Sequence, residues 1–425
     1  MGNSSGKSIL CVGSCNNEKR SSSQLLDSET ENWSFFSNLT DELVTEILIR
    51  LPSESVIRCK AVCKWWRTLI HDGDYFFTRR HQFHDENPQV NPFTLLLQPL
   101  QRATRTRVNI ISEHFLLHKL YGGCSVDTKF LPFQPMAYGP WEFQLETSCA
   151  DLLLCSYSDR LSFKIIYYIC NLLTKQWIAL PPIPMDSVWA EVGFLCDSVG
   201  CLEYKYRIVR IVETNSLSNV HIFSSEEGQW SKSFIPLSEI LNAAKFMKIR
   251  MIAYNRMLHM LSAHGVIVFD PFHKPPKVCR TIDLPVDLTF SLCTCLGECR
   301  GRLRLGVQFG VILDSETDHN KLNVWELEDY NNGKWCWAYK ICIKNSVFQG
   351  LSIMNDRCWM IQILAFHPNN GNIVYLRIGM CIVEYNMQQK KIETSCPIDT
   401  CSNFSLLKPV TLTHQNWPTT LPSLP

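Results

Sequence analysis

No apolar stretch in this chain approaches the length of about 18 residues that a helix needs to cross a bilayer, so no membrane partner is expected. Its first residues lack the succession of positive charge, apolar run and small residues that directs secretion, which points to the cytoplasm, the nucleus or both. An excess of charge is missing as well: 41 Lys and Arg stand against 40 Asp and Glu, a net charge of +1 with a pI near 7.5. Nothing general therefore draws the chain to nucleic acid, and any partner has to be recognised by a local surface. Signatures of catalysis are scarce too. There is no HExxH helix, no Gly-rich dinucleotide fingerprint and no CxxC pair. This argues against an enzyme and calls for no cofactor and no metal.

What is present is a globular composition, 46% apolar and 19% charged over 425 residues, enough for two or three domains and a large core. The 20 cysteines are scattered along a chain expected in a reducing compartment, so they read as buried thiols. Residues 1–34 are rich in Ser, Asn, Glu and Lys and poor in apolar anchors, the composition of a disordered lead. Two patterns there mislead. GNSSGKS, Gly2 to Ser8, falls one residue short of phosphate-loop spacing and follows no strand, and a myristoylation signal needs Ser or Thr where Gly6 stands.

The most specific segment is residues 39–70, LTDELVTEILIRLPSESVIRCKAVCKWWRTLI. Thr40 suits a helix N-cap, Asp41 and Glu42 suit the positive end of the helix dipole, and Leu43, Ile47 and Leu51 recur every four residues. Val44 and Leu48 widen the apolar side beyond what one neighbour needs, while Glu46 can pair with Arg50 on the wet side. Pro52 stops this helix. Val56, Cys59, Cys63, Trp66 and Ile70 then follow at steps of three and four and predict a second helical unit. Roughly 32 residues cannot close a core, so the surplus apolar surface needs cover from elsewhere. The expected contact face is Leu39, Leu43, Ile47, Leu51, Pro52, Val56, Ile57, Val62 and Trp66.

The order Leu39, Asp41-Glu42-Leu43, Glu46-Ile47-Leu48, Arg50-Leu51-Pro52, Ser55-Val56, Arg58, Lys60, Val62-Cys63-Lys64, Trp66-Arg67 and Leu69-Ile70 resembles the F-box in its plant form. The family's opening Leu-Pro reads Leu39-Thr40 here, and Cys63 stands where Ser is usual. The resemblance implies a three-helix all-α unit over residues 35–75 that docks on the small adaptor subunit of an SCF (cullin-RING) ubiquitin ligase, and through it on cullin and RING subunits. The rest of the chain would then select an unknown protein substrate, with thioester chemistry left to other subunits. Open beside it are a helical hairpin buried in the chain's own larger domain, a binding protein working outside ubiquitylation or on a small ligand, and a propeller hydrolase or lectin.

Residues 71–92 are polar and turn-rich, and 76–92 read as a linker. From Phe93 short β-rich segments alternate with turns for over three hundred residues. A weak repeat runs through YYICNLLTKQWIALPP, VHIFSSEEGQWSKSFIP, VIVFDPFHKPPKVCRTIDLP, LNVWELEDYNNGKWCWAYKI and CIVEYNMQQKKIE. Its turn positions, Asn171, Ser224, Asp270, Glu328 and Asn386, are spaced by roughly 46 to 58 residues, a period of blades. Each copy reads as the outer hairpin of a four-stranded sheet, with DLLLCS, VGFLCDS, KIRMIAYN and RLRLGVQFG as inner strands. FTLLLQ and HFLLHKL would start a further blade that FSLLKPVTLT completes from the far end. The fold class is thus α+β multidomain: the short all-α unit, then an all-β propeller of six blades over 93–417, and a Pro-rich tail at 418–425. Seven blades and a two-sheet sandwich are the alternatives. CNLLTKQWIALPP in particular resembles the F-box-associated and kelch-like repeats, without the kelch Gly-Gly doublet.

Three long insertions, 132–141, 181–189 and 314–321, are candidate recognition loops, and they put Tyr138, Trp141 and Trp189 forward as substrate contacts. Arg300, Arg302 and Arg304 alternate along one strand, and Arg102, Arg105 and Arg107 make a second basic patch; either binds an acidic or phosphorylated segment or forms a solvated strand face. Cys293, Cys295 and Cys299 form the densest thiol cluster, but their spacing departs from structural zinc and they read as inward packing. His259, His264 and His273 read as ordinary histidines. Trp177, Trp230 and Trp335 recur at similar places and read as blade packing.

Overall fold

The computed structural model describes residues 39–51, 53–71, 74–86, 91–100, 107–113, 117–118, 125–127, 131, 141–159, 163–184, 190–199, 203–213, 218–234, 251–262, 265–288, 291–309, 319–344, 361–398, 406–415, 419 and 421. The chain divides into two compact units, Met1–Asn87 and Pro88–Pro425.

In the first unit α1 (Asp41–Ile49), α2 (Ser53–Cys59), α3 (Lys64–His71) and α4 (Asp74–Glu86) follow in order. Thr40 takes the extended N-cap conformation, and its carbonyl accepts the Val44 N–H at 3.1 Å. Val44, Leu48, Ile49, Val56, Ile70 and Phe76 are buried and form the core. Helix α4 corrects the reading of residues 76–92 as a linker: most of that segment is a fourth helix. Its Arg80 donates to three carbonyls at the end of α1, those of Leu48 at 3.3 Å, Ile49 at 3.1 Å and Leu51 at 3.1 Å; Leu48 also keeps a bond from the Leu51 N–H at 3.1 Å. Burial pushes the Arg80 guanidinium down to about 10, so it stays charged at neutral pH. Arg79 holds Glu46 at 2.7 Å, and Glu46 pairs with Arg50 at 2.8 Å, as its spacing predicts.

The second unit consists of six antiparallel sheets. The first blade holds β1 (Phe93–Pro99), β2 (Arg107–Ser112) and β3 (Ser125–Asp127). The second holds β4 (Trp141–Cys149), β5 (Leu152–Asp159), β6 (Lys164–Asn171) and β7 (Trp177–Ala179), with the short β8 (Ile183–Pro184) also paired to β6. Then come β9 (Ala190–Val199), β10 (Glu203–Glu213), β11 (Ser218–Ser224) and β12 (Gln229–Phe234) in blade 3, and β13 (Met251–Tyr254), β14 (Met257–Leu261), β15 (Val266–Asp270) and β16 (Lys277–Ile282) in blade 4. Blade 5 is β17 (Ser291–Cys299), β18 (Arg302–Phe309), β19 (His319–Asp329) and β20 (Lys334–Lys344); blade 6 is β21 (Ile361–Phe366), β22 (Ile373–Ile378), β23 (Cys381–Asn386) and β24 (Lys391–Pro397). The last strand, β25 (Leu407–Thr413), returns to pair with β1 from Phe93↔Thr413 to Pro99↔Leu407.

The innermost strands β25, β4, β9, β13, β17 and β21 neighbour one another in a closed circuit, which makes this a six-bladed propeller and sets aside both the seven-bladed ring and the sandwich. FSLLKPVTLT completes the first blade as expected, but the strand beside FTLLLQ is RVNIIS, while HFLLHKL supplies no described strand. The repeat's turns are capped by side chains, as the Asx and Ser positions imply. Asn171 Oδ1 accepts from the Leu173 and Thr174 N–H groups, and Asp270 Oδ1 from those of Phe272 and His273. The fourth such turn belongs to Asp329, which accepts from Asn331 and Asn332 at 3.0 Å, and not to Glu328. A register shift between Leu327 and Asp329 moves the turn by one residue. Close approach of blades 3 and 4 demands Gly193, where a Cβ would stand 2.8 Å from Leu258 Cδ1.

Candidate docking face and recognition end

On the helical unit Leu43, Ile47 and Val62 are 53%, 47% and 47% exposed and Ile57 is 36% exposed, although the unit's own core is filled. The reason is that α1 carries two apolar stripes. Val44 and Leu48 point inward, and Leu43 and Ile47, one residue earlier in each turn, are rotated by about 100° and point out. The same step separates Val56 from Ile57 on α2. Val56 is fully buried, which corrects its place in the expected contact face: it belongs to the unit's core. Leu39, Leu51 and Trp66 are half-buried, and Pro52 lies outside the described residues. Trp65, which the sequence reading left aside, donates its indole N–H to Asp41 Oδ1 at 2.8 Å and ties α3 to the start of α1. Covering one such aliphatic side chain fully is worth about 1.5–3 kcal/mol, which makes the four together the candidate docking face of this unit.

In the propeller, antiparallel alternation sorts the connections between two ends. Turns from the innermost to the second strand, and from the third to the fourth, emerge at one end; those at 255–256, 300–301, 225–228 and 330–333 are short, whereas the first blade's connection, 113–124, is longer. Connections from the second to the third strand, and from one blade to the next, emerge at the other end. These include the long segments 128–140, 185–189, 235–250, 310–318 and 345–360. All three candidate loops of the sequence reading fall at this second end. Tyr138 and Trp189 lie outside the described residues; Trp141 opens β4 and so belongs to a strand, not to the loop before it. Residues 183–184 form β8, and 319–321 begin β19.

A family model described as "F-box protein At3g26010-like, beta-propeller" matches residues 131–413, and a second, described as F-box-like, matches residues 36–82. The chain belongs to this F-box propeller family. Similar proteins of Arabidopsis thaliana include the F-box protein At3g26010, 26% identical over 368 residues that cover 83% of this chain and 78% of that one. The F-box protein At5g49610 is 24% identical over 328 residues, 72% of this chain and 80% of its own. A putative F-box/kelch-repeat protein, At1g15680, is 23% identical over 364 residues, 80% of this chain and 78% of its own. The F-box-like match runs through most of α4, in keeping with the role of Arg79 and Arg80 in that unit.

The arginine row of this F-box protein is committed internally. Arg304 is buried and donates to Glu326 Oε2 through Nε at 2.8 Å and Nη2 at 2.6 Å, and to the Gly371 carbonyl of blade 6 at 2.7 Å. Arg302 reaches the other Glu326 oxygen at 2.9 Å, and Arg300 donates to the Asn369 carbonyl at 3.2 Å. Burial raises the Glu326 carboxyl, but the bonds from Arg304 and Arg302 outweigh it, and the group titrates below its ordinary value. The row therefore joins blades 5 and 6 and is neither a free anion site nor a merely solvated face. Arg102 and Arg105 lie outside the described residues.

Cys295 and Cys299 are buried in the core shared by blades 5 and 6, and among the described residues no three His, Cys, Asp or Glu side chains gather as ion ligands. His259 is buried against the Tyr330 hydroxyl at 2.9 Å, and His273 contacts the Pro275 carbonyl in its turn. Trp230 and Trp335 do join blades: their indoles donate to the carbonyls of Pro181 and Asp283, each in the preceding blade's outgoing chain, at 2.8 Å. Trp177 instead lies half-exposed against Tyr168.

Proposed function

We propose that this chain is the substrate-recognition subunit of an SCF-type cullin-RING ubiquitin ligase. The helical unit docks the small adaptor subunit through Leu43, Ile47, Ile57 and Val62, and the adaptor brings the cullin and RING subunits. The propeller holds a protein substrate at the end where the long connections gather. The chain contributes no reacting group; it raises the local concentration of the target beside the ubiquitin donor. This reading puts it in the cytoplasm or the nucleus. The observation that carries it is the set of four exposed aliphatic side chains on a unit whose core is complete without them.

The test is purification of the full chain from cells with the proteasome blocked, beside a chain carrying Leu43→Glu and Ile57→Glu. Adaptor and cullin should accompany the first and neither the second. Adaptor without cullin would assign the chain a role outside ubiquitylation, and recovery of both by the double variant would refute the docking face.

A further inference from the structure

Among the described residues two pairs of cysteines are close neighbours, and they sit in contrasting settings. Cys155 on β5 and Cys170 on β6 lie wholly inside blade 2, and burial pushes the Cys155 thiol far up. Cys149, which ends β4, and Cys196 on β9 are half-buried and belong to different blades. Their strands are the innermost of blades 2 and 3 and neighbour each other. The Cys149 sulfur accepts the Cys196 backbone N–H at 3.2 Å, so it rests against the main chain of its partner residue. The Cys196 thiol and N–H together hold the Cys149 thiol below its ordinary range despite burial, while burial and the donor role push Cys196 up. The N–H bond that Cys149 accepts favours its ionised form over that of Cys196, so Cys149 is the better placed of the two to attack and Cys196 to resolve.

We propose that Cys149 and Cys196 form a reversible disulfide that staples the innermost strands of blades 2 and 3 when a hydroperoxide is present. The Cys149 thiolate attacks a peroxide oxygen; the O–O bond breaks, a hydroxide leaves and takes up a proton as water, and the sulfur becomes a sulfenic acid. The Cys196 sulfur then attacks the Cys149 sulfur and gives up its proton. The S–O bond breaks and its oxygen leaves as the second water. Two thiols have lost two electrons and two protons, and hydrogen peroxide has gained them. A dithiol reductant reverses the bond by exchange.

The experiment treats the reduced full-length chain with graded hydrogen peroxide, alkylates free thiols in denaturant and maps the peptides. The expected result is a linked peptide pair holding Cys149 and Cys196 at peroxide levels about tenfold below any that link Cys155 to Cys170, released by dithiothreitol. In Cys196→Ser the sulfenic acid should persist on Cys149 and react with dimedone; in Cys149→Ser neither link nor label should form. Oxidation of the exposed Cys279 without the Cys149–Cys196 link in the same sample would overturn the proposal. So would linkage of the two pairs at equal peroxide, since the half-buried inter-blade setting would then confer nothing. The mapping of the unmutated chain decides the matter even where a serine variant fails to fold.

Discussion

Lys408 on the closing strand donates to Glu146 on β4 at 2.7 Å, across the seam between the blade that both ends of the propeller share and its neighbour. Ser156 bonds the same carboxylate from β5, and Ser148 of β4 reaches back to the Thr411 carbonyl at 2.6 Å. The ring is therefore closed twice, by the β1–β25 ladder and by this polar seam. With both charged groups largely buried, Lys408→Met leaves Glu146 unpaired and should lower unfolding free energy by about 3 kcal/mol. Denaturant titration of the full chain measures it; a loss below about 1 kcal/mol would mean that the seam is wet and weak. Removal of residues 402–417 takes away the whole innermost strand and should abolish the cooperative transition of the propeller.

The helical unit should not fold from residues 39–73 alone, because the end of α1 is held by Arg80 from α4. A fragment reaching Glu86 should show helical circular dichroism and resist proteolysis, whereas Arg80→Ala in it should cost roughly 3 kcal/mol through three lost bonds to carbonyls at the end of α1. Equal protease resistance of the two fragments would place α4 outside the folded unit.

That helix shows where the sequence was hard to read. The stripe Leu43, Ile47 and the inner stripe Val44, Leu48 both lie in the pattern, and only the packing distinguishes which one the unit uses itself. In α4 the apolar residues are Tyr75, Phe76 and Phe77 in one run and then Phe83, with the decisive inward residue a charged Arg80 between them; a scan for apolar periods passes over it. The propeller was legible because its turns are chemical: Asn171, Asp270 and Asn386 must cap backbone N–H groups wherever a hairpin bends. The row Arg300, Arg302 and Arg304 read as surface charge because its partners, Glu326, Asn369 and Gly371, come from another strand and another blade. Spacing alone does not reveal contacts of that kind.

Leu43→Ala combined with Ile47→Ala should weaken adaptor binding at least about thirtyfold, since central aliphatic anchors commonly cost about 2 kcal/mol or more on truncation. Both side chains are exposed, so stability should shift by less than about 1 kcal/mol. Calorimetry with the purified adaptor, beside thermal melting, separates the two quantities. Val56→Ala should do the opposite, destabilising the unit by about 1–3 kcal/mol through its core with affinity changed only as far as folding is.

Stability should fall between pH 6.5 and about 4 by way of His259. Burial pushes this imidazole down to about 4 from its usual 6.5, with the Arg280 charge adding to the effect and a bond to the Met257 backbone opposing it. In that window the unfolded chain binds a proton that the folded chain refuses, so unfolding free energy declines as pH drops and levels off below about 4. At about 1.4 kcal/mol per unit the full loss is roughly 3 kcal/mol. His259→Phe gives up the bond to Tyr330 and lowers stability at neutral pH, yet it should flatten the slope across the window. An unchanged slope would assign the acid sensitivity to other groups.

Substrate capture should depend on the end of the propeller where the blade-to-blade connections emerge and not on the end built from short capped turns. Tyr138 and Trp189 both lie in connections of the first kind, and aromatic anchors cost little conformational entropy to order in an interface. Replacing Tyr138, Trp141 and Trp189 together by Ala should remove at least about 2 kcal/mol of substrate affinity while adaptor binding stays intact. As a counterpart, Asn332→Ala with Lys175→Ala alters two exposed turns at the opposite end and should leave capture unchanged. Proximity labelling with the proteasome blocked compares the two variants with the unaltered chain. Loss of the same labelled proteins in the turn variant, and their retention in the aromatic one, would move recognition to the other end of the ring.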